Sequence, residues 1–174
     1  MLEGEQIYLR KMVNSDTDNI VKWRNTDSVR SRFIYQGTFT RESHQEWIRT
    51  MVDTGKVVQM IICEKETDRP VGSAYIRDID REHEKGEYGL FIGESVSRGK
   101  GIGREVTALM LQYAFETLHL HRIYSRVLED NIISLKSAYR GGLEKEGFCK
   151  DDVFVNGEYK SVVLLGKLNP GIRQ

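Results

Sequence analysis

Three glycines and three basic residues lie close together near the middle of this 174-residue chain. Glycines let backbone N–H groups converge on a ligand without interference from Cβ atoms. The stretch follows a run typical of a β-strand and precedes apolar residues at helical spacing, so a helix start adds unpaired N–H donors and partial positive charge. The sequence therefore predicts an anion site suited to a pyrophosphate. Its residues are Ser97, Arg98, Gly99, Lys100, Gly101, Ile102, Gly103 and Arg104.

Other glycine motifs fit this stretch poorly. A dinucleotide fingerprint, G-x-G-x-x-G, would need its third glycine at Arg104 or at Val106. The P-loop pattern G-x-x-x-x-G-K-[ST] is absent from the sequence. An ordinary tight turn between a strand and a helix is the structural alternative, and the three basic residues disfavour it.

Composition excludes several classes of protein. Lys plus Arg and Asp plus Glu both number 26, so there is no basic surplus for sequence-independent binding of nucleic acid. Cys63 and Cys149 lie far apart, which favours a reduced compartment over a disulfide framework. The charged N-terminus and the lack of an apolar run of about 18 residues predict no signal peptide and no membrane span, hence a cytoplasmic protein. No spacing of metal ligands is present.

Periodicity divides the chain into strands and helices. Residues 86–128 predict a strand, a helix and a second, parallel strand, and Asn156-Gly157 predicts a hairpin turn. We expect one mixed α/β domain over residues 1–168 and a flexible tail over 169–174. The predicted strands are 7–11, 57–64, 71–79, 86–93, 122–128, 153–155 and 159–168, and the predicted helices are 16–24, 40–52, 103–117 and 133–139.

Arg98-x-x-Gly101-x-Gly103 resembles the acyl-CoA pyrophosphate motif R/Q-x-x-G-x-G/A of the GNAT N-acetyltransferases. The resemblance continues through 131–134, 142–147 and 153–159, as in the branch that includes ribosomal-protein N-terminal acetyltransferases, and covers roughly residues 5–168. It implies the GNAT fold, a single α/β domain whose mixed, mostly antiparallel, twisted sheet is flanked by helices. It also implies direct transfer of an acetyl group from acetyl-CoA to a primary amine.

The resemblance implies a set of cofactor-binding residues. Backbone groups at the end of a strand pair with the pantetheine arm, the glycine loop binds the pyrophosphate, and residues at the start of the next helix contact the cofactor. Helix capping is the alternative role for Asn131. The implied residues are Phe91, Ile92, Gly93, Arg98, Gly99, Lys100, Gly101, Ile102, Gly103, Arg104, Asn131 and Ser134.

The catalytic groups are less clear from the resemblance. Many relatives place a tyrosine where this chain has Ala138, and Tyr139 comes one residue late, about 100° further round a helix. Either the helix start is shifted and Tyr139 protonates the leaving thiolate, or no tyrosine does, and a packing role is the alternative for Tyr139. Glu87 is the candidate general base, acting through water, with a solvated charge at a strand end as the alternative. Alternation places Glu87, Gly89 and Phe91 on one face of their strand.

The N-terminal half is similar to a subgroup that acetylates nucleotide-linked amino sugars, such as the UDP-amino-sugar N-acetyltransferase of pseudaminic acid synthesis. The similar stretches are 23–30, 40–47 and 113–129. Arg pairs bidentately with phosphate, Trp can stack, and His has the intrinsic pKa of a base. The implied acceptor-binding residues are Trp23, Arg24, Asn25, Arg30 and His44, with core packing or solvent exposure as the alternative.

Three functions stay open at this point. The acceptor is the amine of a small molecule, such as a sugar nucleotide, or the N-terminus of a ribosomal or other protein. The third alternative is an acyl-CoA-binding module without turnover. A basic, aromatic acceptor cleft favours the nucleotide, whereas an open, acidic cleft favours a peptide. Members of the family are often dimers, so a homodimer is a further expectation.

Overall fold

The computed structural model describes residues 1–171, which form one eight-stranded sheet with helices on both faces. The strands are β1 (Leu2–Glu3), β2 (Ile7–Lys11), β3 (Val58–Glu64), β4 (Arg69–Asp80), β5 (Lys85–Ile92), β6 (Arg122–Leu128), β7 (Glu144–Val155) and β8 (Glu158–Leu168). The helices are α1 (Thr17–Asn25), α2 (Asp27–Arg30), α3 (Arg41–Trp47), α4 (Ile102–Glu116) and α5 (Ile132–Gly141), and α3 continues into a π-helical turn over Ile48–Val52. The strand order is β1-β2-β3-β4-β5-β6-β8-β7.

Strands β5 and β6 are the one parallel pair in the described sheet, and α4 connects them as a βαβ unit. Their ladder has three residue pairs, which are Lys85–Arg122, Gly86–Ile123 and Glu87–Tyr124. Beyond this point the strands part, although β5 continues to Ile92 and β6 to Leu128. We call the gap between 88–92 of β5 and 125–128 of β6 the splay.

The helices cover the two faces of the sheet separately. Tyr88 of β5 points towards α4, where its hydroxyl lies 3.1 Å from Thr107 Oγ1. Phe91 points the other way and packs edge-on against Trp23 of α1. The predicted alternation along β5 is thus confirmed, and Glu87 shares the face of Phe91. We call the face covered by α1, α2 and α3 the α1 face, and the opposite one the α4 face.

Most predicted elements are confirmed, with ends shifted by one or two residues. The predicted hairpin is present, and Asn156 and Gly157 both have positive φ, 54° and 83°. The exception is β7, which the sequence predicts only over 153–155 but which begins at Glu144. This edge strand is mostly exposed and has two register shifts, so its polar residues show no alternation.

The predicted tail begins with a residue that is hydrogen-bonded to the domain. Asn169 N–H donates to the His121 carbonyl at 2.8 Å, and Asn169 Nδ2 donates to the Leu120 carbonyl at 3.2 Å. Residues 172–174 lie outside the described residues. The domain boundary predicted at 168 therefore excludes at least one residue that contacts the sheet.

Trp23 fixes α1 to the end of β5. Its side chain is 1% exposed, and its Nε1 donates to Glu94 Oε1 at 2.7 Å. The indole occupies the space where a Cβ on Gly93 would lie. Glycine at position 93 is therefore what allows α1 to approach the sheet this closely.

We expect Gly93→Ala to lower the free energy of unfolding by about 1–3 kcal/mol, because an added Cβ overpacks against the buried indole. Chemical denaturation measures the change. Gly171→Ala is the control, since its Cβ would make only an ordinary contact 3.4 Å from Asn169 Oδ1. Equal unfolding energies for the two variants would contradict this account of α1 docking.

Candidate active site

The glycine loop has the geometry expected of an anion site. Gly99 and Gly101 have positive φ, 78° and 85°, and a Cβ on either would meet nothing within 4 Å. Within residues 1–171, the N–H groups of 99–103 have no hydrogen-bond partner. Together with the N-terminus of α4, these free donors fit a pyrophosphate.

Two residues hold the start of α4 in place under the loop. Ile102 is 3% exposed and is part of the core on the α4 face. Gly103 faces α5, where a Cβ would lie 2.8 Å from Ser137 Oγ. These contacts position the free N–H donors, because the first turn of α4 cannot move without disturbing the core.

Arg98 fastens the loop to the end of β5. Its Nε donates to the Ile92 carbonyl at 3.0 Å, and its Nη2 donates to the Gly93 carbonyl at 3.1 Å. Nη2 also lies 3.2 Å from Ser28 Oγ of α2. The guanidinium therefore fastens the loop, and because its partners are neutral oxygens its positive charge remains beside the anion site. Contact of Arg98 with the cofactor stays a prediction.

The other two basic residues of the loop differ in their surroundings. Lys100 Nζ lies 3.6 Å from Glu64 Oε1, and Ser97 Oγ donates to the same oxygen at 2.7 Å. The Ser97 hydrogen bond lowers the pKa of Glu64, so this carboxylate offsets part of the charge of Lys100. Arg104 is exposed and has no ion pair in the described chain, which leaves its charge available to a ligand.

The end of β5 borders the splay, where the pantetheine arm is expected to pair. The N–H of Gly93 is not available to the arm, because it donates to the Val71 carbonyl at 2.8 Å, and the Gly93 carbonyl already accepts from Arg98. Contact of Gly93 with the cofactor therefore stays a prediction. The Ile92 carbonyl is likewise held by Arg98. The backbone groups that remain for an extended ligand belong to 88–92, and the contact of Phe91 and Ile92 with the cofactor stays a prediction.

Asn131 lies at the far side of the splay and caps α5. Its Oδ1 accepts from the Ser134 N–H at 3.3 Å and from Arg32 Nη1 at 3.4 Å. The capping role is therefore confirmed. Its Nδ2 makes no hydrogen bond within residues 1–171, so this amide is the group left for a cofactor, and contacts from Asn131 and Ser134 stay predictions.

Glu87 is a buried carboxylate at the point where the splay begins. Its Oε2 accepts from Arg77 Nε at 3.2 Å and from Arg77 Nη2 at 3.0 Å, and the residue is 8% exposed. The alternative of a solvated charge at a strand end is therefore wrong. The pKa of neighbouring Tyr124 is raised mainly by burial, and the negative charge of Glu87 is the second cause. A carboxylate here can take a proton from an amine through water.

Tyr139 does not point into the splay region. Helix α5 begins at Ile132, directly after its cap, so its start is not shifted relative to the motif. Ala138 is the buried residue of the pair, at 6% exposure, whereas Tyr139 is 42% exposed. The prediction of Tyr139 as a general acid is therefore corrected: the rotation of about 100° places its side chain in solvent.

Two predicted acceptor-binding residues hold α1 in place instead. Trp23 is part of the core, so the prediction that it stacks on a ligand is wrong. Asn25 Nδ2 donates to the Phe39 carbonyl at 2.7 Å, and Asn25 Oδ1 accepts from the Phe39 N–H at 2.9 Å. Both polar groups of Asn25 are therefore used to hold the loop that follows α2.

His44 and Arg30 are also engaged elsewhere. His44 is 2% exposed, its Nδ1 lies 3.1 Å from Thr17 Oγ1, and its ring stacks on Trp47. Burial lowers the pKa of His44, which favours the neutral ring. Arg30 lies at the surface with Nη2 3.0 Å from Asp27 Oδ1. The predicted contact of His44 with an acceptor is therefore wrong, and Arg30 is an exposed partner of Asp27.

Arg24 is the predicted acceptor-binding residue with free donors. It is 7% exposed, and its guanidinium carbon lies 3.5 Å from the ring centroid of Phe33, 4.7 Å from that of Phe39 and 5.8 Å from that of Phe91. Its side chain makes no hydrogen bond or ion pair within residues 1–171, and Nη1 is sealed from solvent. Burial lowers the pKa of the guanidinium to about 10.

Sequence analysis missed four side chains of the α1 face, although β4 carries a usable signal. Tyr75 pairs with Gly89, and Arg77 pairs with Glu87. The predicted hairpin of β3 and β4, followed by β5, would place alternate residues of β4 beside the candidate base once the register is known. Phe33 and Phe39 lie in an irregular segment, for which periodicity offers no signal.

The described residues contain neither a metal site nor a membrane-spanning helix. Within residues 1–171 no group of His, Cys, Asp or Glu has the geometry of a metal site. None of the helices in this part of the chain is both long enough and apolar enough to cross a membrane.

We expect Gly101→Ala to weaken binding of acetyl-CoA by about tenfold or more, because a left-handed alanine strains the loop that aligns the free N–H groups. Isothermal titration with acetyl-CoA measures the effect. Gly157→Ala is the matched control, since its φ is 83° and its Cβ would also meet nothing within 4 Å. Equal loss of affinity in both variants would contradict the assignment of the anion site.

Comparison with known proteins agrees with this geometry. The sequence profile of the family described as "Acetyltransferase (GNAT) domain" matches residues 6–144. The uncharacterized N-acetyltransferase p20 of Bacillus licheniformis is 28% identical over 171 residues, covering 96% of this chain and 95% of that protein.

Two solved structures share the fold at low identity. Spermidine N-acetyltransferase from Vibrio cholerae, in complex with CoA and spermine, aligns with a TM-score of 0.87 at 22% identity over 94% of this chain and 96% of that one. Ribosomal-protein-S5-alanine acetyltransferase from Vibrio fischeri aligns with a TM-score of 0.85 at 22% identity over 99% of this chain and 98% of that one. With the profile match over most of its length, the chain belongs to the GNAT acetyltransferase family and is an acetyl-CoA-dependent N-acetyltransferase.

Proposed function

We propose that the acceptor is a primary amine on a small molecule that carries a phosphate, and that the substrate class is a nucleotide-linked amino sugar. The proposal is carried by one observation: Arg24 is a buried cation without an acidic partner in the described chain. The resemblance of the N-terminal half to sugar-nucleotide acetyltransferases supports the same substrate class.

A buried guanidinium without an anion is costly. Loss of hydration is the cause that lowers the pKa of Arg24, and the faces of Phe33 and Phe39 offset only part of that cost. A phosphate can accept two parallel hydrogen bonds from a guanidinium, which makes it a suitable anion for this pocket. The aromatic rings add apolar area for the rest of a sugar nucleotide.

Glu87 serves as the general base in this proposal. Acetyl-CoA supplies the thioester, and the amine attacks its carbonyl carbon directly. Glu87 takes a proton from the amine through water, while Arg77 fixes the orientation of the carboxylate. Backbone N–H groups beside the splay are suited to stabilise the developing oxyanion, because they are rigid and shielded from bulk water.

The electrostatics of the α1 face disfavour the other acceptors. The two solved structures named above are of a spermidine acetyltransferase and a ribosomal-protein-alanine acetyltransferase. A polyamine would bring positive charge towards Arg24, and a peptide N-terminus is expected to prefer an open, acidic cleft. Arg24 is itself a cation, and the side chains packed around its guanidinium are aromatic.

The homodimer stays a prediction. Phe148 and Phe154 lie on the edge strand β7 and are 45% and 64% exposed, which supports contact with a second copy. Sedimentation velocity over a range of protein concentrations tests it, and a single monomeric species throughout would contradict it.

Acetyl transfer to three probes tests the proposed acceptor. We expect UDP-glucosamine, which has a free primary amine and a diphosphate, to exceed glucosamine and spermidine in kcat/KM by about 100-fold or more. A steady-state assay of thiol release measures all three. Preference for spermidine or for glucosamine would contradict the proposal.

Arg24→Met is expected to raise the KM for UDP-glucosamine by about 10–100-fold, because charge-assisted hydrogen bonds to the phosphate are lost. The KM for acetyl-CoA should change little. Arg30→Met is the control, since Arg30 lies at the surface and pairs with Asp27. A thermal melt of each variant checks folding, and equal KM values for Arg24→Met and the parent would overturn the role of Arg24.

A further inference from the structure

Direct acetyl transfer leaves a thiolate that needs a proton, and the position of α5 that holds a tyrosine in many relatives supplies no hydroxyl for it. The position used for tyrosine in many relatives is Ala138, which is buried. Tyr139 points into solvent. A donor for the leaving group therefore has to come from another element that reaches the splay.

Tyr75 of β4 reaches across β5 towards the splay. It pairs with Gly89 in the sheet and lies on the α1 face, as Glu87 does. The phenol ring and hydroxyl occupy the space where a Cβ on Gly89 would lie. Because Gly89 has no side chain, the hydroxyl lies directly over the backbone of β5, on the strand that borders the splay.

The distance from the anion site places the thioester near this hydroxyl. A pantetheine arm contains two amides and is about as long as four residues of extended chain, roughly 14 Å. Starting from Gly93, beside the loop, four residues back along β5 reach Gly89, a distance of roughly 13 Å. An arm that follows β5 from the loop therefore brings its sulfur to the level of Gly89 and Tyr75.

The surroundings of Tyr75 suit a proton donor. Its hydroxyl has no hydrogen-bond partner within residues 1–171. Burial raises the pKa of Tyr75, and the negative charge of Glu87 raises it further, so the phenol is protonated at neutral pH. Arg77 and Arg24 act in the opposite direction and would stabilise a transient tyrosinate.

We infer that Tyr75 is a catalytic residue that donates a proton to the leaving CoA thiolate, in place of a tyrosine at position 138 of α5, where this chain has alanine. The C–N bond forms as the amine attacks, and the C–S bond breaks as the tetrahedral intermediate collapses. The sulfur takes the proton of the Tyr75 hydroxyl, and the tyrosinate regains one from Glu87 through water. Glu87 received that proton from the amine, so the products are the acetamide and CoA with a free thiol.

This inference rests on acetyl transfer by this chain, but its first test needs no acceptor. The pKa of the thiol of bound CoA is measured by titrating the ultraviolet absorbance of the thiolate in complexes with the parent, Tyr75→Phe and Tyr139→Phe. A hydrogen bond from Tyr75 stabilises the thiolate, so Tyr75→Phe should raise that pKa by about one unit or more. Tyr139→Phe, at an exposed position on α5, should leave it unchanged.

Turnover with UDP-glucosamine provides the second readout. Tyr75→Phe should lower kcat by about 100-fold or more, with the affinity for acetyl-CoA and the melting temperature retained. An unchanged thiol pKa in Tyr75→Phe would overturn the inference, and so would a loss of kcat in Tyr139→Phe instead. If the parent fails to acetylate UDP-glucosamine, the proposed acceptor fails, whereas the thiol titration still decides the role of Tyr75.

Discussion

The ladder between β5 and β6 ends after three residue pairs, and this early end opens the gap around which both sides of the site are arranged. After Glu87 and Tyr124 the two strands part within one sheet. Backbone groups of strands are costly to leave unpaired away from water, so such a gap is best stabilised by an extended ligand that pairs with them. The glycine loop places an anion site at one end of this gap, and Glu87 lies at the other. The distance between the glycine loop and Glu87 therefore determines where the thioester and the amine would meet.

The helix that carries the acceptor-side cation is fixed by its neighbour in sequence. Trp23 is buried over Gly93 and bonded to Glu94, so Arg24 is held over its aromatic partners. Burial weakens the hydration of the guanidinium, and no acidic side chain of the described chain compensates for it. The packing of Trp23 therefore fixes the position of Arg24, which is the cation of the proposed phosphate site.

Local patterns predicted the fold and the conformation of the glycine loop well, but they did not predict the direction of individual side chains. The glycine loop, the βαβ unit and the cap at Asn131 depend on neighbouring residues, which a sequence displays. Trp23 and His44 have residue types that suit a ligand, yet both are buried, because helix packing decides which side faces the sheet. Tyr75 approaches the splay only through the register of β4 and Gly89, a long-range feature that spacing alone does not reveal. The polar edge strand β7 lacks the alternation that marks a half-buried strand.

Hydrogen exchange of the backbone amides, with and without saturating CoA, tests directly whether the splay holds the extended arm of the cofactor. We expect CoA to slow exchange in 88–92 of β5 and in 99–103 of the glycine loop, and to leave exchange in the exposed edge strand β7 unchanged. Protection confined to the loop, with exchange in 88–92 unaltered, would contradict the claim that the splay holds the extended arm of the cofactor.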